Sequence, residues 1–221
     1  MKHMNPWLDV VRSTAIIFVL MSHSRGLLVE EYPVLSFMKF GGFVGVELFF
    51  VLSGFLIGGV LSRMGGFDFR GVKIFFLRRW FRTLPNYYLF LFLAVLFSFA
   101  GIRSEEIPGN LAEYFFFAQN LYSPHPGFFG EAWSLSVEEV FYFLFPVLVM
   151  GVTSLVKMDP KKVMVFLGGG IFVFCTLARM YVAEIPDVSR DFIRKAVLLR
   201  MDSIMVGVLV AILWARWSRF F

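Results

Sequence analysis

The chain has 221 residues, 58% hydrophobic and 19% aromatic with 30 Phe, and combines a formal charge of +5 with a mean hydropathy of +0.75. This composition excludes an ordinary water-soluble domain and defines a membrane protein. The basic residues cluster beside apolar runs rather than on a soluble module, so they report membrane topology and not nucleic-acid binding. The single cysteine, Cys175, lies inside an apolar run and reads as a packing residue.

A helix needs roughly 20 mostly apolar residues to cross hydrocarbon. Six such spans are predicted at about 8–28, 42–61, 83–102, 133–155, 163–183 and 197–215, giving an all-α polytopic bundle, or seven spans if a later link enters the bilayer. The first segment has no small-residue cleavage site behind it and is expected to stay as a span, not to be removed as a secretion signal. It carries Arg12 and His23, eleven residues apart, which returns both to nearly one helix face with roughly 16 Å between them along the axis. Ionisable groups at membrane depth are costly, so each one marks a candidate site. His23 reads in three ways: hydrogen-bonded to a neighbouring helix, wetted at the outer interface, or a buried neutral base able to take a proton from a hydroxyl.

The second span carries one charge, Glu47, and the pair Gly54 and Gly58, whose small-xxx-small spacing predicts close helix packing. Before the third span, FFLRRWFRTLP (75–85) gathers Arg78, Arg79 and Arg82. Such a cluster suits anionic lipid head groups, and its guanidinium forks equally suit a phosphate-rich ligand. Residues 103–132 form a long link, interfacial or re-entrant, in which His125 is expected to be a loop residue. The fourth span opens with WSLSVEEVFYFLFP (133–146). There Ser134, Glu138 and Tyr142 form a stripe at steps of four, while Glu139 is rotated by about 100° toward head groups or a neighbouring helix. A carboxylate at Glu138 beside His23 could orient the ring and stabilise its cation, with Glu47 at similar depth; both acids could equally be solvated at the interface.

Basic residues concentrate on one side: Lys2; then Arg63, Arg70, Lys73, Arg78, Arg79 and Arg82; then Lys157, Lys161 and Lys162; then Arg216 and Arg219. That side, which holds both termini, is predicted to be cytoplasmic. The opposite loops carry Glu30, Glu31, Glu105, Glu106, Glu184 and Asp187, although Arg190, Arg194, Lys195 and Arg200 blur the last of them. The histidines at 3, 23 and 125 lack ligand spacing, and no metal site is predicted.

Together these stretches resemble the integral-membrane acyltransferase family 3, bacterial proteins that O-acylate cell-envelope and secreted glycans. LDVVRSTAIIFVLMSH (8–23) contains the family's Arg-x10-His pattern as Arg12 and His23, and RRWFRTLP (78–85) its Arg-x-x-Arg pattern as Arg79 and Arg82. WSLSVEEVFYFLFP contains Trp-Ser-Leu-x-x-Glu as Trp133 to Glu138, GVELFFVLSGFLI (45–57) also matches, and RMDSIMVGVL (200–209) fits more loosely. The resemblance implies a single transmembrane acyltransferase domain over residues 1–221 in the bacterial cytoplasmic membrane. Family members typically have about ten spans, so the chain is expected to be short at its C-terminus.

The implied reaction moves an acyl group, acetyl most often, from cytoplasmic acyl-coenzyme A to a hydroxyl of an extracytoplasmic glycan. Acyl-CoA is then a co-substrate, with no permanently bound cofactor. His23 and Glu138 are the implied catalytic pair, and Arg79 and Arg82, with Arg12 nearby, would hold the donor's phosphates. Glu47, Trp133, Ser134 and Tyr142 would support them. The bilayer, the donor and a glycan are the expected partners, nucleic acid is not, and an incomplete bundle leaves room for self-association. A proton-coupled transporter would also place His and Glu in a bundle, but no paired repeats or broken helices are found. A truncated, non-catalytic membrane subunit is the third reading.

Overall fold

A computed structural model describes residues 6–24, 32, 38–64 and 67–217. Lys2, His3, Glu30, Glu31, Arg219 and the end of the first predicted span lie outside these residues. Among the described residues the protein is all helical: α1 (Pro6–His23), α2 (Met38–Leu61), α3 (Phe69–Phe99), α4 (Ala112–Phe115), α5 (Trp133–Val156), α6 (Pro160–Ala183), α7 (Arg190–Lys195) and α8 (Met201–Trp217). Each predicted span overlaps one of the six long helices among the described residues. Four stretches, Gly41–Leu61, Phe69–Phe99, Gly130–Val156 and Pro160–Ala183, are long and apolar enough to cross a membrane. Helices satisfy their own backbone groups, which hydrocarbon requires.

The largest departure from expectation is α3, which starts at Phe69 and not at residue 83. Asp68 caps it, its carboxylate accepting the Gly71 N–H at 2.8 Å, and Pro85 lies inside the helix without ending it. The basic stretch 75–85 is therefore part of the long helix. Asp159 caps α6 in the same way, with Pro160 following at the first turn.

The chain divides into two compact units, one made of Met1–Gly59 and Ser203–Phe221, the other of Val60–Asp202. In the first unit glycines set the helix contacts. A Cβ on Gly54 would collide with the Ile204 carbonyl oxygen, and one on Gly207 with the Val51 carbonyl oxygen; a Cβ on Gly58 would lie 2.9 Å from Val208 Cα. Gly45 meets the Ala15 carbonyl oxygen and Val19 of α1 in the same fashion. The small-xxx-small pair therefore packs α2 backbone to backbone on α8.

Aromatic rings and polar links hold the second unit. Residues 100–132 fold back along the second half of α3, where Tyr87, Leu91, Ala94, Tyr114, Phe117, Phe128 and Ala132 form a buried cluster. Tyr87 donates to the Tyr114 carbonyl at 2.8 Å, Tyr88 to the Phe115 carbonyl at 2.9 Å, and Tyr114 to the Phe128 carbonyl at 2.8 Å. His125 is a half-buried loop residue, edge-on to the Tyr114 ring. Cys175 is buried and donates to the Leu198 carbonyl, in keeping with a packing role. Arg200 and Asp202 are buried as well, and Arg179 of α6 pairs with Asp202. Arg200 is therefore an interior group and not an exception to the charge asymmetry of the loops.

Candidate active site

In the second unit, α3 and α5 bring together a polar cluster between apolar helix faces. Tyr142, fully buried, donates to Glu138 Oε2 at 2.8 Å, one turn back on the same helix. Arg79 of α3 places Nη2 3.5 Å from that oxygen and lays its guanidinium carbon 3.4 Å from the centre of the Tyr142 ring. Cation, carboxylate and phenol thus hold one another, with the charge stacked on the ring's negative face. The stripe expected from the spacing is present in its Glu138–Tyr142 part.

This ion pair joins two residues that the sequence reading set at opposite ends of the bilayer. Arg79 lies ten residues into α3, about 15 Å along its axis. The fold-back of residues 100–132 starts α5 beside the middle of α3. Only the early start of α3 and the folded link together permit the contact.

Glu139 is buried, with Arg79 and the Thr83 hydroxyl of α3 close by and neither carboxylate oxygen in a hydrogen bond of normal geometry. Of the two environments expected for it, the structure shows the neighbouring helix and not the head groups. Arg82 and Arg78 are exposed. Trp133 and Ser134 open α5 and are partly buried.

The other predicted site residues belong to the first unit. His23 is the exposed last residue of α1. Arg12 pairs with Asp9 of its own helix at 2.9 Å. Glu47 of α2 accepts a short hydrogen bond from Ser203 of α8, tying together the helices that the glycines bring close.

Several polar residues escaped the sequence reading. Gln119 and Asn120 are fully buried in the link. Gln119 donates to Ser136 at 2.5 Å, while the Asn120 side-chain amide donates to the Trp133 and Lys195 carbonyls and its backbone carbonyl accepts from the Val197 N–H. These bonds fasten the start of α5 to two loops. No periodicity links residues 17 or 75 positions apart, so only the fold reveals them.

The described helices define a multi-pass helical membrane protein with an Arg–Glu–Tyr cluster embedded between two long helices. The family model for an acyltransferase domain matches residues 5–221, and the chain belongs to that family. It is 26% identical over 225 residues to the peptidoglycan O-acetyltransferase OatA of Listeria monocytogenes, covering 95% of this chain and 34% of that protein. A proposed peptidoglycan O-acetyltransferase of Bacillus subtilis, YrhL, is 27% identical over 95% of this chain and 33% of its own length. A proposed O-acetyltransferase of Staphylococcus aureus is 28% identical over 97% and 35% respectively. The chain thus spans about a third of the length of these curated relatives. No solved structure matches it significantly.

Proposed function

We propose that the chain is the membrane part of an O-acyltransferase that moves an acetyl group from cytoplasmic acetyl-coenzyme A to a hydroxyl of an extracytoplasmic glycan at a bacterial cytoplasmic membrane. The observation that carries this reading is the family match over residues 5–221. The relatives' names make peptidoglycan the first acceptor to test.

In the proposed reaction the hydroxyl oxygen attacks the thioester carbonyl carbon, the carbon–sulfur bond breaks, and the hydroxyl proton ends on the coenzyme A thiolate. His23 is the base for that proton, or the carrier of the acyl group between donor and acceptor. Glu138, fixed by Tyr142 and Arg79, is the oriented carboxylate of the second unit. Arg12 and Arg79 already have carboxylate partners. Arg82, exposed and without an ion pair among the described residues, is the guanidinium most available to the donor's phosphates.

Calorimetry of acetyl-CoA binding and transfer of radiolabelled acetyl to peptidoglycan fragments, both with the detergent-purified chain, test this. Arg82→Ala is expected to weaken donor binding about tenfold, the loss of one charged contact. His23→Gln is expected to keep donor binding and abolish transfer. Full transfer by a folded His23→Gln variant would remove both roles given to His23, and a folded wild-type chain that binds no donor would count against the enzyme reading.

A further inference from the structure

Beside the Arg79–Glu138 cluster the second unit contains a cavity of about 590 Å³ that the sequence did not announce. Its volume lies within the roughly 300–1,000 Å³ of small-molecule sites. Arg82 and Asn86 of α3 line one side, and the folded link supplies Arg103, Phe129 and Glu131 on the other. Arg82, Asn86 and Glu131 are exposed at this open hollow, where a polar occupant would hydrogen-bond them and a lipid tail would not.

The charges narrow the class. Arg103 is already bound to Glu105, with Nε and Nη2 both 2.5 Å from the same carboxylate oxygen. With Arg82 given to the donor's phosphates, Asn86 and Glu131 remain for an occupant of the cavity, a lining unsuited to further phosphate groups. It suits a neutral or singly charged polyol. Asn86 offers both a donor and an acceptor, and Glu131 accepts from hydroxyls.

A second, independent observation concerns Phe129. Its backbone is left-handed, φ 49° and ψ 50°, a region costly for any residue with a Cβ. Such strain persists where the surroundings impose it and clusters at functional sites. Here it presents an aromatic ring to the cavity, 5.8 Å from the Tyr87 ring and inclined to it by 33°. The C–H face of a pyranose ring, weakly positive, complements the negative face of an aromatic ring.

We propose that this cavity is an acceptor-sugar subsite, with a pyranose ring against Phe129 and its hydroxyls held by Asn86 and Glu131. This assignment rests on the acyl-transfer reading and extends it to the acceptor. The test uses the 221-residue chain in lipid nanodiscs, with two probes titrated separately: disaccharides released from peptidoglycan by a muramidase, and acetyl-CoA. Phe129→Leu, which keeps an apolar side chain but removes the ring, and Glu131→Gln are each expected to weaken disaccharide binding about tenfold and leave acetyl-CoA binding within about twofold. Matching thermal melts confirm that the variants fold.

Disaccharide binding unchanged in both variants, or absent from the wild type, would overturn the subsite. Loss of acetyl-CoA binding in these variants would overturn it too, since the cavity would then serve the donor. A wild type that binds the disaccharide through these residues but not acetyl-CoA would support the subsite while removing the acyl-transfer reading.

Discussion

The two units solve the same packing problem by opposite means. In the first, side chains are removed: Gly54, Gly58 and Gly207 let α2 and α8 touch backbone to backbone, and the Ser203–Glu47 hydrogen bond ties them. In the second, side chains are added: tyrosines, phenylalanines, Gln119 and Asn120 fill and tie a link against α3 and α5. Hydrocarbon offers little drive for helices to associate, so contact must come from close van der Waals approach or from interhelical hydrogen bonds. Each unit relies mainly on one of these, and the difference shows where each is vulnerable.

The largest effect is expected where no space exists. Gly54→Ala places a methyl against the Ile204 carbonyl and should destabilise the first unit by about 3 kcal/mol or more, visible as a lower thermal midpoint in detergent. Wild-type melting in that variant would show that the α2–α8 contact is loose. In the second unit, Arg79→Ala strips Glu138 of its cation and Tyr142 of its stacked partner; about 2 kcal/mol and most of any transferase activity should be lost. Tyr142→Phe removes only the hydrogen bond to Glu138, so a smaller loss of about 1 kcal/mol is expected, measured by the same melt. A larger loss for Tyr142→Phe than for Arg79→Ala would make the phenol, not the guanidinium, the main anchor of Glu138.

The smallest effect concerns acid. Burial holds the His125 imidazole below its ordinary value of 6.5, with the nearby Lys195 charge acting in the same direction. The unfolded chain therefore takes up this proton more readily than the native one. Stability from His125 is fully present above 6.5 and declines as the pH falls below it toward the lowered native value. Replacing His125 by Asn should flatten the acid side of a plot of thermal midpoint against pH. A profile identical to the wild type would place the acid sensitivity of the link elsewhere.

Much of this architecture was legible from the chain. Long apolar runs marked six helices because a helix is the economical way to satisfy its backbone in hydrocarbon. Gly54 and Gly58 announced their contact through spacing, and the Glu138–Tyr142 bond followed from a step of four on one helix. Local periodicity carries such information. α3 starts 14 residues before the predicted span, because the basic stretch ahead of the apolar run continues the same helix back to its cap at Asp68.

What the tertiary structure alone decided is which distant residues meet. Arg79 and Glu138 are 59 positions apart and were assigned to different membrane faces, yet the fold-back of the link sets α5 beside the middle of α3 and makes them partners. The same folding turns Glu139 toward α3, buries Gln119 and Asn120, and brings Asn86 and Glu131 to one open cavity. The sequence by itself determined helices, their polar faces and the family, because these depend on neighbours within a few turns. The pairing of charges and the shape of the cavity depend on how a link of some thirty residues packs, and no periodicity in the chain encodes that.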